Sequence, residues 1–172
     1  MFLIHKLIAQ PRLIALLSGL IFPFAIAPFF LWPIVIISLM GLLFSLHKSS
    51  AKEAAIRTWL FGFGKFSVGV SWIYVSMHDH GGTPAILAIF MVGLFAAFLA
   101  TFPALFMYFF QRFYNRASTH PLVSILAFSA LWFTYEWFRS WFMTGFPWLF
   151  AGDAQLHSWL NGWAPILSVY GL

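Results

Sequence analysis

Residues 13–46 carry no Asp, Glu, Lys or Arg, and this stretch restricts the fold more than any other feature of the chain. A segment without a single charge cannot form the surface of a water-soluble domain. A bilayer core about 30 Å thick is crossed by roughly 20 apolar residues in a helix, whose backbone satisfies its own hydrogen bonds. Pro23, Pro28 and Pro33 interrupt the stretch. Each removes a donor and crowds the preceding turn, so the reading is a helical hairpin rather than one long rod. Ala25-Ile26-Ala27, preceded by Lys6 and Arg12, also fits a signal-peptide cleavage pattern, but the second apolar run headed by Pro28 favours a retained hairpin.

Three further spans are expected at residues 59–77, 86–110 and 122–142, and a last apolar segment, 160–172, is too short to complete a sixth. The expected fold class is all-α, a polytopic membrane helix bundle of five transmembrane helices plus the start of a sixth. With 62% hydrophobic and 8% charged residues, the chain lies far from soluble domains, in which roughly a quarter of residues are charged. Lipid is the simplest cover for so much apolar surface.

The basic residues give an orientation. Lys6, Arg12, Lys48, Lys52, Arg57, Arg112 and Arg116 fall in alternate gaps, and the other gaps hold none, which places the N-terminus and these gaps in the cytoplasm. The outer loops are then residues 29–32, 76–84 and 143–161. A net charge of +5 would suggest nucleic acid in a soluble protein; here it sets membrane orientation, and no nucleic-acid partner is expected. The chain has no cysteine, so it offers no disulfide, no thiolate metal site and no thiol nucleophile.

Two basic residues fall inside spans. Lys65, in the third, reads as a snorkelling lysine or a shallower helix start. Arg139 stands three residues after Glu136 in the fifth, a spacing that puts both on one helix face and lets them neutralise each other. The pair reads either as an ion pair locking the outer end of the span, or as an Arg offered to a phosphate or carboxylate with Glu136 holding it in place. Gly145-Phe146-Pro147-Trp148 then ends the helix: Gly tolerates left-handed angles, Pro cannot continue the ladder, and the aromatics suit the headgroup level. Trp141, Trp148, Trp159 and Trp163 make the outer loop an aromatic layer, serving as a belt or as a mouth for acyl chains. Met77-His78-Asp79-His80 reads as a polar outer loop closed by Gly81 and Gly82 rather than a metal site, because adjacent side chains diverge and no further ligand is evident. No Gly-x-Ser-x-Gly elbow occurs, and Glu53, Asp79, Glu136 and Asp153 are the only acidic side chains.

Four segments, "SLMGLL" at 38–43, "GFGKFSVGVSWIYVSM" at 62–77, "ALWFTYEWFRSWFMTGFPW" at 130–148 and "LNGWAPILSVYGL" at 160–172, together closely resemble the N-terminal membrane region of the apolipoprotein N-acyltransferase family. The resemblance implies a bacterial inner-membrane enzyme that adds an acyl chain to the N-terminal cysteine amine of lipoproteins. The implied acyl donor is a phospholipid and the implied acceptor a diacylated lipoprotein. It implies eight membrane helices with a nitrilase-like domain inserted after the seventh, and ping-pong transfer through a Cys thioester supported by a Glu and a Lys. Residues 1–172 correspond to the membrane region alone, ending within the implied sixth helix, so no catalytic residue, cofactor or metal is expected here. The chain by itself is expected to be inactive, with a separately encoded nitrilase-like part as a further candidate partner.

By the same resemblance, residues 145–148 lie beside a lateral lipid entrance. Phe146 and Trp148 would contact acyl chains and Arg139 a headgroup, with Glu136, Gly145 and Pro147 in support. Lys65 and Asp153 depart from the family pattern. The alternative is a non-enzymatic lipid-binding scaffold or small transporter, for which the charged pair in the fifth span is the support.

Overall fold

The computed structural model describes residues 10–114 and 120–172; Lys6 and Arg116, assigned above to the inner gaps, lie outside the described residues. The described residues form helices, turns and loops with no strand. In chain order they are α1 (Pro11–Ile21) with a 3-10 turn (Phe22–Ala25), α2 (Pro33–Ser45), α3 (Ala51–Gly69), α4 (Trp72–Val75) continued by a π-helical turn (Ser76–His80), α5 (Ala85–Phe113), α6 (Pro121–Trp141), α7 (Ala151–Gln155) and α8 (Ala164–Gly171).

The prolines make the hairpin: α1 gives way at Phe22 to the turn containing Pro23, and Pro33 opens α2, where its missing N–H costs nothing. The arms meet through small residues. Ser38 Oγ donates to the Ser18 carbonyl at 2.6 Å, and a Cβ on Gly41 would fall 2.1 Å from Ser18 Oγ. α3 sits at the centre, packed against α1 and α5. A Cβ on Gly64 would lie 2.7 Å from the Leu16 carbonyl oxygen, and one on Gly62 3.0 Å from Ala100 Cα, so both crossings depend on bare backbone, the usual device where helices associate without a water-driven force.

α5 buries one stripe, including Ala88, Val92, Ala96, Leu99, Ala104 and Met107, and turns its bulk outward: Ile86 is 85% exposed and Phe113 77%. An apolar face of that extent marks a surface that meets lipid or another apolar partner. With 29 residues and a mean hydropathy of 2.5 in its most apolar window, α5 is the one described helix both long and apolar enough to cross a bilayer. Residues 11–25 and α2 are apolar but shorter. Length and apolarity thus single out one of the five expected spans and leave the other four unconfirmed: prolines shorten the first two, α3 carries Lys52, Glu53, Arg57 and Lys65, and α6 carries Glu136 and Arg139.

The third expected span, 59–77, is also not one continuous rod. Its helix starts earlier, at Ala51, where the Ser50 hydroxyl accepts from the Glu53 N–H at 3.3 Å. It breaks after Gly69, against which the Leu149 side chain packs, and resumes at Trp72. In the π-helical turn, His78 Nδ1 lies 2.8 Å from the Thr83 carbonyl oxygen and His80 Nδ1 3.3 Å from that of Val75. The last apolar segment begins with a 3-10 turn (Asn161–Trp163), and α8 is kinked at Ser168 (φ 59, ψ 173).

The bundle has two chemically distinct ends. At one, Glu53 receives Arg12 Nε and Nη2, both at 2.9 Å, and Arg57 Nε at 2.9 Å, while Arg57 Nη1 bonds the Ser45 carbonyl. The Arg12 hydrogen bonds, then that of Arg57, lower the pKa of the Glu53 carboxyl to about 2, so this cluster stays ionised at neutral pH. Lys48 and Lys52 flank it in sequence, and Gln111, next to Arg112, reaches Ser49 at 3.5 Å. At the other end aromatics meet: Phe30 against His157 at 4.1 Å, and Trp72 against Trp148 at 6.3 Å between ring centroids.

Candidate functional site

At the aromatic end α6 points Tyr135, Glu136 and Arg139 inward, each no more than 2% exposed. Glu136 does not pair with Arg139. Its Oε1 lies 3.6 Å from Lys65 Nζ, and both its oxygens accept the Ala151 N–H, at 3.0 and 3.1 Å. Arg139 instead gives Nη1 to the carbonyls of Phe146 (2.7 Å) and Trp148 (2.8 Å), and its own carbonyl accepts the Phe146 N–H at 3.0 Å. The guanidinium carbon stands 4.5 Å from the Phe150 ring centroid. The expected i, i+3 pair is therefore replaced by two outward connections. Helix spacing puts the two side chains on one face, but the part-buried carbonyls of the loop need donors, and Lys65 arrives from another helix to meet the carboxylate.

Lys65 corrects a second expectation. At 1% exposure it neither snorkels nor marks a shallow helix start. Its ammonium stands 4.0 Å over the Phe22 ring and 5.3 Å from that of Trp132, and the π faces and the carboxylate together compensate the charge.

The turn after α6 follows from its residues. α6 stops at Trp141, a 3-10 turn (Phe142–Thr144) follows, and Met143 (φ 51), Thr144 (φ 73) and Gly145 (φ 82) all take left-handed angles. A Cβ on Gly145 would lie 2.1 Å from the Ser140 carbonyl oxygen, so only glycine fits there. Pro147 is exposed. Phe150 N–H donates to Asp153 Oδ2 at 2.9 Å, which caps α7; burial pushes the Asp153 carboxyl up from its ordinary value.

Beneath this loop a cavity of about 240 Å³ opens between α5 and α6, walled by Phe95, Phe98, Phe102, Phe142, Phe146 and Arg139 among others. A second, about 470 Å³, continues along the same helix pair past Leu105, Phe109 and Phe138, and shares Phe102 and Phe142 with the first. Arg139 is the charged side chain in these linings, and its Nε and Nη2 have no hydrogen-bond partner among the described residues. The structure therefore brings Arg139 and Phe146 together at one cavity. It leaves Trp148 outside that lining, 56% exposed, and puts Glu136 on a different cavity of about 570 Å³ formed by α2, α6, α7 and α8. Phe98 and Phe102 were not singled out by sequence, because on α5 a cavity-lining phenylalanine and a lipid-facing one look alike. Chemically, the arrangement suits an amphipath, with an apolar slot for chains and a guanidinium for an anionic or polar head.

The family model described as the apolipoprotein N-acyltransferase N-terminal domain matches residues 18–172. The chain is similar to proteins named apolipoprotein N-acyltransferase from Pseudomonas aeruginosa strain UCBPP-PA14, at 46% identity over 159 residues, Azotobacter vinelandii, at 44% over 159 residues, and Vibrio cholerae, at 41% over 162 residues. These matches cover 92%, 92% and 94% of this chain, and 31% of the length of each relative. The chain thus spans about a third of the length of the curated relatives it matches.

Proposed function

This chain belongs to the apolipoprotein N-acyltransferase family, over that family's N-terminal domain, and on that premise we propose that it is the membrane part of an enzyme that transfers an acyl chain from phospholipid to the N-terminal cysteine amine of a diacylated lipoprotein. In this reading five helices cross the bacterial inner membrane, α1, α2, α3 with α4, α5 and α6, with the basic end in the cytoplasm. The aromatic end meets the outer leaflet. The observation that carries the reading is the apolar crevice between α5 and α6, topped by a buried guanidinium with unpaired Nε and Nη2. Phe146 forms its wall against the acyl chain, Arg139 faces the headgroup, and Trp148 receives lipid in the outer aromatic layer beside Trp72.

Thioester chemistry needs a thiol, and these 172 residues contain no cysteine, so the chain alone holds lipid without transferring it. A nitrilase-like part, in the same polypeptide or a separate one, supplies the nucleophile. A lipid-binding scaffold would use the same crevice, and the two readings separate on whether transfer follows when that part is added.

The test is photo-crosslinking. With benzoylphenylalanine at Phe98, on the crevice, or at Ile89, on the outward face of α5, the chain in detergent micelles is exposed to trace labelled phosphatidylethanolamine. Crosslinking at Phe98 is expected to exceed that at Ile89 by about tenfold and to be competed by unlabelled phospholipid, with no acyl transfer to a diacylated lipopeptide. Equal, non-competed crosslinking at both positions would refute the crevice, and turnover would refute the assignment of the chemistry elsewhere.

A further inference from the structure

We propose that Lys65 is a positioning residue for the outer loop, acting through Glu136: its ammonium supplies the counter-charge to the carboxylate that holds the Ala151 N–H, and so registers residues 146–151 against the bundle. The proposal rests on contacts separate from the crevice and does not depend on the acyltransferase reading. Three elements far apart in sequence converge on one carboxylate. Lys65 comes from α3, the central helix; Glu136 comes from α6; Ala151 opens α7, and its N–H lies 3.0 and 3.1 Å from the two Glu136 oxygens. A buried carboxylate needs a compensating charge to persist. Arg139, whose Nη1 bonds the carbonyls of Phe146 and Trp148, makes no ion pair with Glu136 among the described residues, whereas Lys65 Nζ stands 3.6 Å from Oε1. Lys65 in turn has aromatic rings on its other sides. Glu136 is thus fixed from the bundle core, and an ionised acceptor binds an N–H more strongly than a neutral one. Remove the ammonium and the loop loses the anchor that ties α7 to the central helix.

The absence of cysteine makes a single-thiol test clean. Ala154, in α7, and Ala96, in α5, are both fully buried, and alanine to cysteine is a small change. Maleimide alkylation of Ala154→Cys and Ala96→Cys in the full chain in micelles is expected to be slow. Adding Lys65→Met is expected to speed alkylation at position 154 by about tenfold or more while leaving position 96 protected. The exchanged pair Lys65→Glu with Glu136→Lys restores opposite charges between the helices but puts a group without an acceptor beneath the Ala151 N–H. Position 154 should therefore stay reactive. A merely structural ion pair predicts recovery of protection in the exchanged pair. That recovery, unchanged alkylation at position 154 in Lys65→Met, or opening of position 96 together with 154 would each overturn the proposal.

Discussion

Gly64→Leu is expected to abolish the folded bundle. In an isolated helix the change would help, since glycine in a helix interior is worse than alanine by about 1 kcal/mol and leucine is nearly as good a helix former. Here the backbone of α1 occupies the place a side chain would take. A Cβ at Gly64 would lie 2.7 Å from the Leu16 carbonyl oxygen and 2.9 Å from Leu20 N, and the reciprocal position, Gly19, would meet the Phe61 carbonyl oxygen at 2.0 Å. None of these is the yielding tip of a side chain, so α1 and α3 must part, and the contacts of Ala15, Phe22 and Phe61 in the core go with them. The loss should reach or exceed about 3 kcal/mol, the upper range for overpacking. Gly93→Ala is the control: among the described residues, apart from its own helix backbone, nothing lies within 4 Å of the added atom, and it should leave stability unchanged or raise it by up to about 1 kcal/mol. Denaturation of the purified chain in micelles by sodium dodecyl sulfate, followed by tryptophan fluorescence, measures both.

Arg139→Ala should release the outer loop while leaving the helices packed. The guanidinium bonds two part-buried carbonyls, those of Phe146 and Trp148, and removing it takes the donor from both, at about 1–3 kcal/mol for each group left unsatisfied. Arg139→Lys should recover only part, because an ammonium is a point charge and cannot reproduce the guanidinium fork. Proteolysis within residues 142–150 is expected to rise by about a hundredfold in Arg139→Ala, and lipid crosslinking at Phe98 to fall with it, since Phe146 closes the cavity from this loop. Unchanged proteolysis would mean that the loop is held by its aromatic contacts, Phe146 on Phe66 and Phe95, and that Arg139 does not anchor it.

How much of this was legible in the sequence differs from element to element. The hairpin was, because Pro23, Pro28 and Pro33 act locally, and so was the turn at Gly145, where glycine, proline and aromatics each have a local reason to be. The continuity of the third span was not: its break at Gly69 coincides with the packing of Leu149, a residue from a distant loop. The partners of the buried charges were illegible for the same reason. The spacing of Glu136 and Arg139 correctly places them on one face, but the true partners, Lys65 on α3 and the carbonyls of the loop, become neighbours only when the helices assemble. The cavity wall was hidden by composition. The phenylalanines of α5 all lie outside its buried stripe, so the sequence gives no periodic contrast between those that line the crevice and those that simply face outward.

The crossing proposed for α3 is the step on which the account most depends, since this helix carries Lys52, Glu53, Arg57 and Lys65 and in the proposed arrangement passes from the basic end to the aromatic end. Lys48 and Asp79, both exposed, bracket it. In right-side-out membrane vesicles, Asp79→Cys is expected to react with an impermeant maleimide added outside, and Lys48→Cys only after the membrane is permeabilised. Labelling of both from the same side, or of Lys48→Cys alone from outside, would contradict the membrane arrangement and the outer-leaflet lipid site with it.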